Sequence, residues 1–120
     1  MIKEDYCSYE VAKLLKEKGF NEFCYTCYVE KEISHYDYSS TNYELIDGVI
    51  SCPTIQMAMK WLREIYGIDI VIEISNPSVN DRKYYCVIWD KNNDSHILEL
   101  FYSYEDAVEE SIKYCLKNLI

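Results

Sequence analysis

The sequence predicts an α+β fold with an antiparallel sheet of four to five strands and three helices packed mainly on one face, in the order α-β-(β)-α-β-β-β-α. Three segments place apolar residues at helical spacing behind a capping residue. Residues 68–74 alternate isoleucines with mostly polar residues, as in a strand covered on one side. Residues 83–89 and 96–102 flank a loop rich in Asn and Asp, which predicts a β-meander with 68–74.

Residues 52–75 form the clearest unit, a helix followed by a strand. Thr54 is the expected N-cap, and Gly67 is the expected left-handed residue that ends the helix. Met57 and Trp61 lie on the flanks of the apolar side. The predicted buried stripe consists of Ile55, Ala58, Met59, Leu62, Ile65 and Tyr66.

The first and last helices use the same signals as the central helix. Ser8 is expected to cap a helix over residues 9–18, and Gly19 is expected to end it. Ser103 is expected to cap the last helix, which has acidic residues in its first turns and lysines later, in accord with the helix dipole. The predicted buried stripe of this helix is Tyr104, Ala107, Val108, Ser111, Ile112, Cys115 and Leu119.

Between the first two helices the prediction is less detailed. Residues 24–30 are expected to form a strand that pairs with a second strand at 34–38, and 49–51 is a further short piece. This part of the chain also holds the densest group of tyrosines, which fits either a binding surface or ordinary strand packing. The group is Tyr25, Tyr28, Tyr36, Tyr38 and Tyr43.

Length and composition exclude several classes of protein. A chain of 120 residues fits a single globular domain, 1–120, and its 49% hydrophobic content argues against disorder. The net charge of −9 disfavours general nucleic-acid binding, which needs a basic surface. The charged first residues do not resemble a signal peptide, and no stretch is long and apolar enough for a membrane span. We therefore expect a cytoplasmic protein without membrane association.

Six cysteines raise the question of metal or redox chemistry. In a cytoplasmic chain the thiols should be reduced, and Cys52, Cys86 and Cys115 fit buried apolar patterns. Cys24 and Cys27 form one CxxC, but a spacing of three in a continuous strand puts them on opposite faces. The residues alone leave open whether this pair binds zinc, and we assign it no metal.

No residue is assigned a catalytic or cofactor-binding role. His35 and Asp37 are neighbours on one strand face by spacing alone. The sequence has no nucleophile elbow, P-loop, dinucleotide fingerprint or zinc-protease motif. We expect no cofactor, and the sequence favours a protein that is not an enzyme.

Four segments resemble a known family: 12–20 (AKLLKEKGF), 53–64 (PTIQMAMKWLRE), 104–107 (YEDA) and 112–120 (IKYCLKNLI). They are similar to small uncharacterised proteins of gut Bacteroides and related bacteria, often encoded on phages or mobile elements. The similarity covers nearly the whole chain, and the tyrosine-rich middle departs most from it. The resemblance implies a link to host–phage interaction and implies no catalytic residue.

Together these observations favour a non-enzymatic protein-interaction domain whose partner is another protein or a second copy of itself, as a homodimer. One alternative is an acidic nucleic-acid mimic that binds a basic host protein. Another is a small-molecule-binding module or minor enzyme.

Overall fold

A computed structural model describes residues 2–40, 48–75 and 82–120 of the chain, and for residues 36–40 it describes the backbone only. The element order is α-β-β-β-α-β-β-β-α. The chain divides into two compact units, Met1–Ala58 and Met59–Ile120, so the division falls within the central helix. The α+β class and the three helices are confirmed.

The first unit holds helix α1 (Tyr9–Glu17) and a three-stranded antiparallel sheet. Its strands are β1 (Cys24–Val29), β2 (Glu32–Ser40) and β3 (Val49–Ser51), in the order β2-β1-β3. Glu30 and Lys31 form the tight β1–β2 turn and have positive φ angles of 51° and 69°. That geometry matches the right-handed twist of a hairpin. The pairing of β1 with β2 is confirmed.

The N-terminal segment is tied to the start of the central helix. The amide of Cys7 donates to the carbonyl of Pro53 at 3.0 Å, and the amide of Ile55 donates to the carbonyl of Asp5 at 3.0 Å. The carbonyl of Cys7 also accepts a 2.6 Å hydrogen bond from the hydroxyl of Tyr28 in β1. These bonds satisfy backbone groups that lie outside the hydrogen bonding of a helix or sheet.

Helix α2 (Ile55–Tyr66) begins and ends as expected. The Thr54 hydroxyl accepts from the amide of Met57 at 3.1 Å, which confirms the N-cap. Gly67 has a φ of +66°, and the amide of Ile68 donates to the carbonyl of Leu62 at 3.2 Å. This is the backbone arrangement of a glycine-terminated helix.

The predicted buried stripe of α2 is wrong at one position. Ile65 is 58% exposed, whereas Trp61, expected on a flank, is buried. Around the helix axis Ile65 lies between Ala58 and Trp61, both of which are buried. Spacing gives the angle of a residue around the axis, but not how far along the axis the covering structure extends.

The second unit holds strands β4 (Asp69–Ser75), β5 (Lys83–Trp89) and β6 (Ser95–Phe101), followed by helix α3 (Tyr104–Asn118). The strands form an antiparallel sheet in the order β4-β5-β6, which confirms the meander. The described residues therefore hold six strands in two sheets, and the prediction of four to five strands in one sheet is wrong. Alternation identifies strands but does not show which of them pair, and β3 is too short for a clear periodic signal.

A bulge changes the facing of residues near the end of β6. Cys86 pairs with Leu98, but the register shifts between Tyr84 and Tyr85, so Tyr84 pairs with Phe101. Strict alternation along 96–102 predicts that Leu98, Leu100 and Tyr102 share one face, and this prediction is wrong beyond Leu98. An extra residue in one strand reverses the alternation that follows it.

Helix α3 packs on β4, β5 and β6. The Ser103 hydroxyl accepts from the amide of Asp106 at 3.0 Å, which confirms the cap. Its buried residues are Ala107, Val108, Ser111, Ile112, Cys115 and Leu116. The predicted stripe is therefore wrong at Leu119, which is half-buried, and at Tyr104, which is 37% exposed. No helix in the described part of the chain is long and apolar enough to cross a membrane.

Leu62→Ala should lower the free energy of unfolding by about 2–5 kcal/mol, because Leu62 is fully buried and its loss leaves a cavity. Ile65→Ala on the same helix is the matched control, and we expect a change within about 0.5 kcal/mol. Denaturant unfolding followed by circular dichroism measures both. Equal effects of the two substitutions would contradict the burial described for α2.

Candidate functional site

The two faces of the β4–β5–β6 sheet differ in how far other parts of the structure bury them. Cys86 and Ile88 in the central strand are fully buried, and the Cys86 thiol lies 3.8 Å from the carbonyl oxygen of Ala107 in α3. This face is therefore the one that packs on α3. Because side chains alternate along a strand, Tyr85, Val87 and Trp89 point to the opposite face.

An apolar row crosses that opposite face. Val87 pairs with Val71 on one side and with Ile97 on the other. Directly paired residues in antiparallel strands point to the same face, so the three side chains are neighbours. Val71 is 40% exposed and Ile97 is 60% exposed. The row is accessible to solvent rather than part of the core.

Two aromatic residues extend this row along the central strand. Trp89 is 44% exposed, and Tyr85 is half-buried. Each lies two positions from Val87 and so on the same face. We call the surface made by Val71, Tyr85, Val87, Trp89 and Ile97 the open face.

Carboxylates surround the open face. Asp69 pairs with Trp89 across β4 and β5, and Tyr85 pairs with Glu73 on one side and with Glu99 on the other. All three acidic residues are exposed. The open face is therefore an apolar surface with negative charge at three of its corners.

A second polar arrangement links the β5–β6 hairpin to α3. The Nε2 atom of His96 lies 3.0 Å from Oδ2 of Asp90, and its Nδ1 atom lies 3.1 Å from the hydroxyl of Tyr114. The other carboxylate oxygen of Asp90 accepts from the amides of Asn92 at 2.9 Å and Asp94 at 3.1 Å. The Asp90 carboxylate thus uses both oxygens, and both ring nitrogens of His96 are occupied.

The hydrogen bonds of Asp90, His96 and Tyr114 connect two segments in which the sequence shows no motif. The hydrogen bond from His96, with help from the amides of the turn, lowers the pKa of Asp90 below its usual value. Because the Asp90 carboxylate can only accept, Nε2 of His96 donates to it; in that tautomer Nδ1 accepts a hydrogen bond from the Tyr114 hydroxyl. Because both ring nitrogens are bonded, His96 connects the β5–β6 hairpin to α3. We call Asp90, His96 and Tyr114 together the fastener.

Two clefts adjoin this fastener. Tyr114 lines a cleft of about 430 Å³ between β6 and α3. Asp90 lines a second cleft of about 400 Å³, which also contacts Tyr66 and the last residues of the chain. Both volumes lie in the range of small-molecule sites.

The six cysteines are free and buried. Burial raises the pKa of Cys24 to about 11, with a smaller contribution from Glu22. Burial also raises the pKa of Cys115 to about 12, with a smaller contribution from Cys86. Cys52, Cys86 and Cys115 are buried as expected, and these thiols resemble structural cysteines rather than nucleophiles.

Cys24 and Cys27 both lie in β1, and the β1–β2 register shifts between Cys24 and Thr26. In residues 2–40, 48–75 and 82–120, no group of three or more His, Cys, Asp or Glu side chains is placed to hold a metal ion. The assignment of no metal to this pair stays a prediction.

The tyrosine-rich segment divides between structural and exposed roles. Tyr28 is half-buried and bonds the carbonyl of Cys7, whereas Tyr25 is exposed. Tyr43 and the side chains of Tyr36 and Tyr38 lie outside the described residues.

His35 bonds Thr26 at 2.9 Å through Nδ1 and contacts the ring of Tyr6. The side chain of Asp37 lies outside the described residues, so the predicted neighbourhood of His35 and Asp37 stays a prediction.

Comparisons with known proteins give no match to a family model, a curated protein or a solved structure. The resemblance to small Bacteroides proteins stays a prediction.

His96→Phe should raise the pKa of Asp90 toward its usual value, because the largest cause of the lowering is removed. Since the native pKa of Asp90 is depressed, its contribution to stability is present above the unfolded pKa and is lost as pH falls through the native pKa. Carboxyl NMR titration of Asp90 measures the shift. His35→Phe is the control and should leave the Asp90 titration unchanged, because His35 bonds Thr26 instead.

A thiol reagent such as dithionitrobenzoate should react slowly with the native protein and rapidly with all six cysteines after denaturation. Burial hides the sulfur atoms, and the raised pKa values of Cys24 and Cys115 keep those groups protonated. Ser95→Cys is the positive control, because Ser95 is exposed. A native cysteine that reacts as fast as the one introduced at position 95 would show that its burial is wrong.

Proposed function

We propose that this protein is a non-enzymatic interaction domain that binds another protein through the open face. The observation that carries the proposal is the apolar row of Val71, Val87 and Ile97, which crosses all three strands of one sheet with both ends exposed and Val87 half-buried between them. Contiguous exposed apolar surface with a polar rim is typical of interaction sites.

The composition of the open face supports the proposal. Trp89 and Tyr85 flank the central Val87, and Trp and Tyr are the residues that most often dominate binding energy. The other side of the sheet is covered by α3, so the open face has a rigid support. A site on a packed sheet keeps its geometry better than a site on a loop.

The other functions remain predictions. A nucleic-acid mimic would bind a basic partner, but that hypothesis uses net charge alone and gives no role to the exposed valine, isoleucine and tryptophan. A small-molecule site draws support from Tyr114, whose hydroxyl bonds His96 beside the cleft of about 430 Å³.

A photo-crosslinking amino acid at position 97 or position 71 should capture the same protein in cells that express the chain. Both positions lie on one apolar row, so a partner on the open face contacts both. Mass spectrometry identifies the captured protein. Adding Val87→Lys, which places a charge between the two positions, should abolish the capture.

The matched control carries the crosslinker at position 65, another exposed isoleucine, on α2. It should not capture the shared protein. If positions 71 and 97 capture no protein in common, or if position 65 captures the same set, the open face is not the binding site.

A further inference from the structure

We infer that the open face takes a positively charged amphipathic helix of a partner protein, laid along β5 with its apolar side on Tyr85, Val87 and Trp89. This inference rests on the proposed function, and it adds the shape and charge of the partner segment.

The dimensions of the open face suit one helix. Strands lie about 4.8 Å apart, so β4 and β6 are about 10 Å from each other across β5, which is close to the diameter of a helix. Tyr85 and Trp89 are four positions apart, or about 13 Å along the strand. About nine helical residues cover that length, which is two to three turns with one apolar stripe.

The charges of the open face suit basic flanks on that helix. Asp69 and Glu73 lie on the β4 side of β5, and Glu99 lies on the β6 side. A helix along β5 therefore has carboxylates on both sides of its apolar stripe. Lysine or arginine next to the stripe would meet them, while their aliphatic stems extend the apolar contact.

The same charges argue against a second copy of this chain as the occupant. Two open faces packed on each other would bring together the three carboxylates of each, and the copies each carry a net charge of −9. Like charges at an interface disfavour the pairing. The one lysine in the paired strands beside these residues, Lys83, lies with its Nζ atom 5.4 Å from the ring of Tyr102.

Two synthetic helical peptides test the inference, each of about 18 residues so that it can form a helix in isolation. They share one leucine stripe, and they differ in having lysine or glutamate beside it. Titration into isotope-labelled protein should shift the amide signals of Val71, Val87 and Ile97 with the lysine peptide. The glutamate peptide should bind about tenfold more weakly, because several exposed ion pairs become like-charge contacts.

Charge reversal in the protein should invert the preference. The variant Asp69→Lys/Glu73→Lys/Glu99→Lys should bind the glutamate peptide more tightly than the lysine peptide. If the triple variant does not fold, Glu73→Lys alone should reduce the preference for lysine. The matched control changes net charge equally at exposed carboxylates of other segments and should keep the wild-type preference; it is Glu4→Lys/Glu17→Lys/Glu105→Lys.

Three outcomes would overturn the inference. They are equal binding of the two peptides, binding of neither at millimolar concentration, and a homodimer in light scattering that Ile97→Lys abolishes. None of them decides the crosslinking experiment, in which a captured partner, or a second copy, would still support binding through the open face. Failure of crosslinking at positions 71 and 97 would instead remove the proposed function.

Discussion

The antiparallel register of β4, β5 and β6 is the constraint on which the rest of the second unit depends. Cys86 and Ile88 point toward α3, so Val87, which lies between them, points to the opposite face. Val71 and Ile97 pair directly with Val87 and therefore lie on that face too. A slip of one residue in β5 would bring Val87 and Trp89 under the helix and send Cys86 to solvent. The same register therefore determines both the buried side of the sheet and the proposed binding side. The sequence cannot change one without consequences for the other.

Local features of the fold could be predicted from the sequence because their causes are local. Ser8, Thr54 and Ser103 cap helices through bonds to amides three positions away, and such bonds need no other part of the chain. The partner of β3, the exposure of Ile65 and the bulge near Leu100 depend on what other segments do. No single stretch of sequence carries that information.

The open face and the fastener could not be predicted from the sequence for a related reason. Period-two alternation showed that Val71 lies among Asp69 and Glu73, but not that Val87 and Ile97 stand beside it. The hydrogen bond between His96 and Tyr114 joins residues 18 positions apart, and neither neighbourhood resembles a motif. A Trp and a Val alternating with Cys86 and Ile88 in a central strand was the available signal. When helices cover only one face of a sheet, a strand with apolar residues at both odd and even positions has one apolar set on the uncovered face.

The fastener of Asp90, His96 and Tyr114 also closes the base of the β5–β6 loop. Asp90 directly follows β5, His96 is the second residue of β6, and their side chains bond to each other across the loop. Inside the loop the Asp90 carboxylate also accepts from the amides of Asn92 and Asp94. The Tyr114 hydroxyl then connects this closed loop to α3. A change in the length of the loop would therefore disturb the attachment of the hairpin to α3 as well as the turn itself.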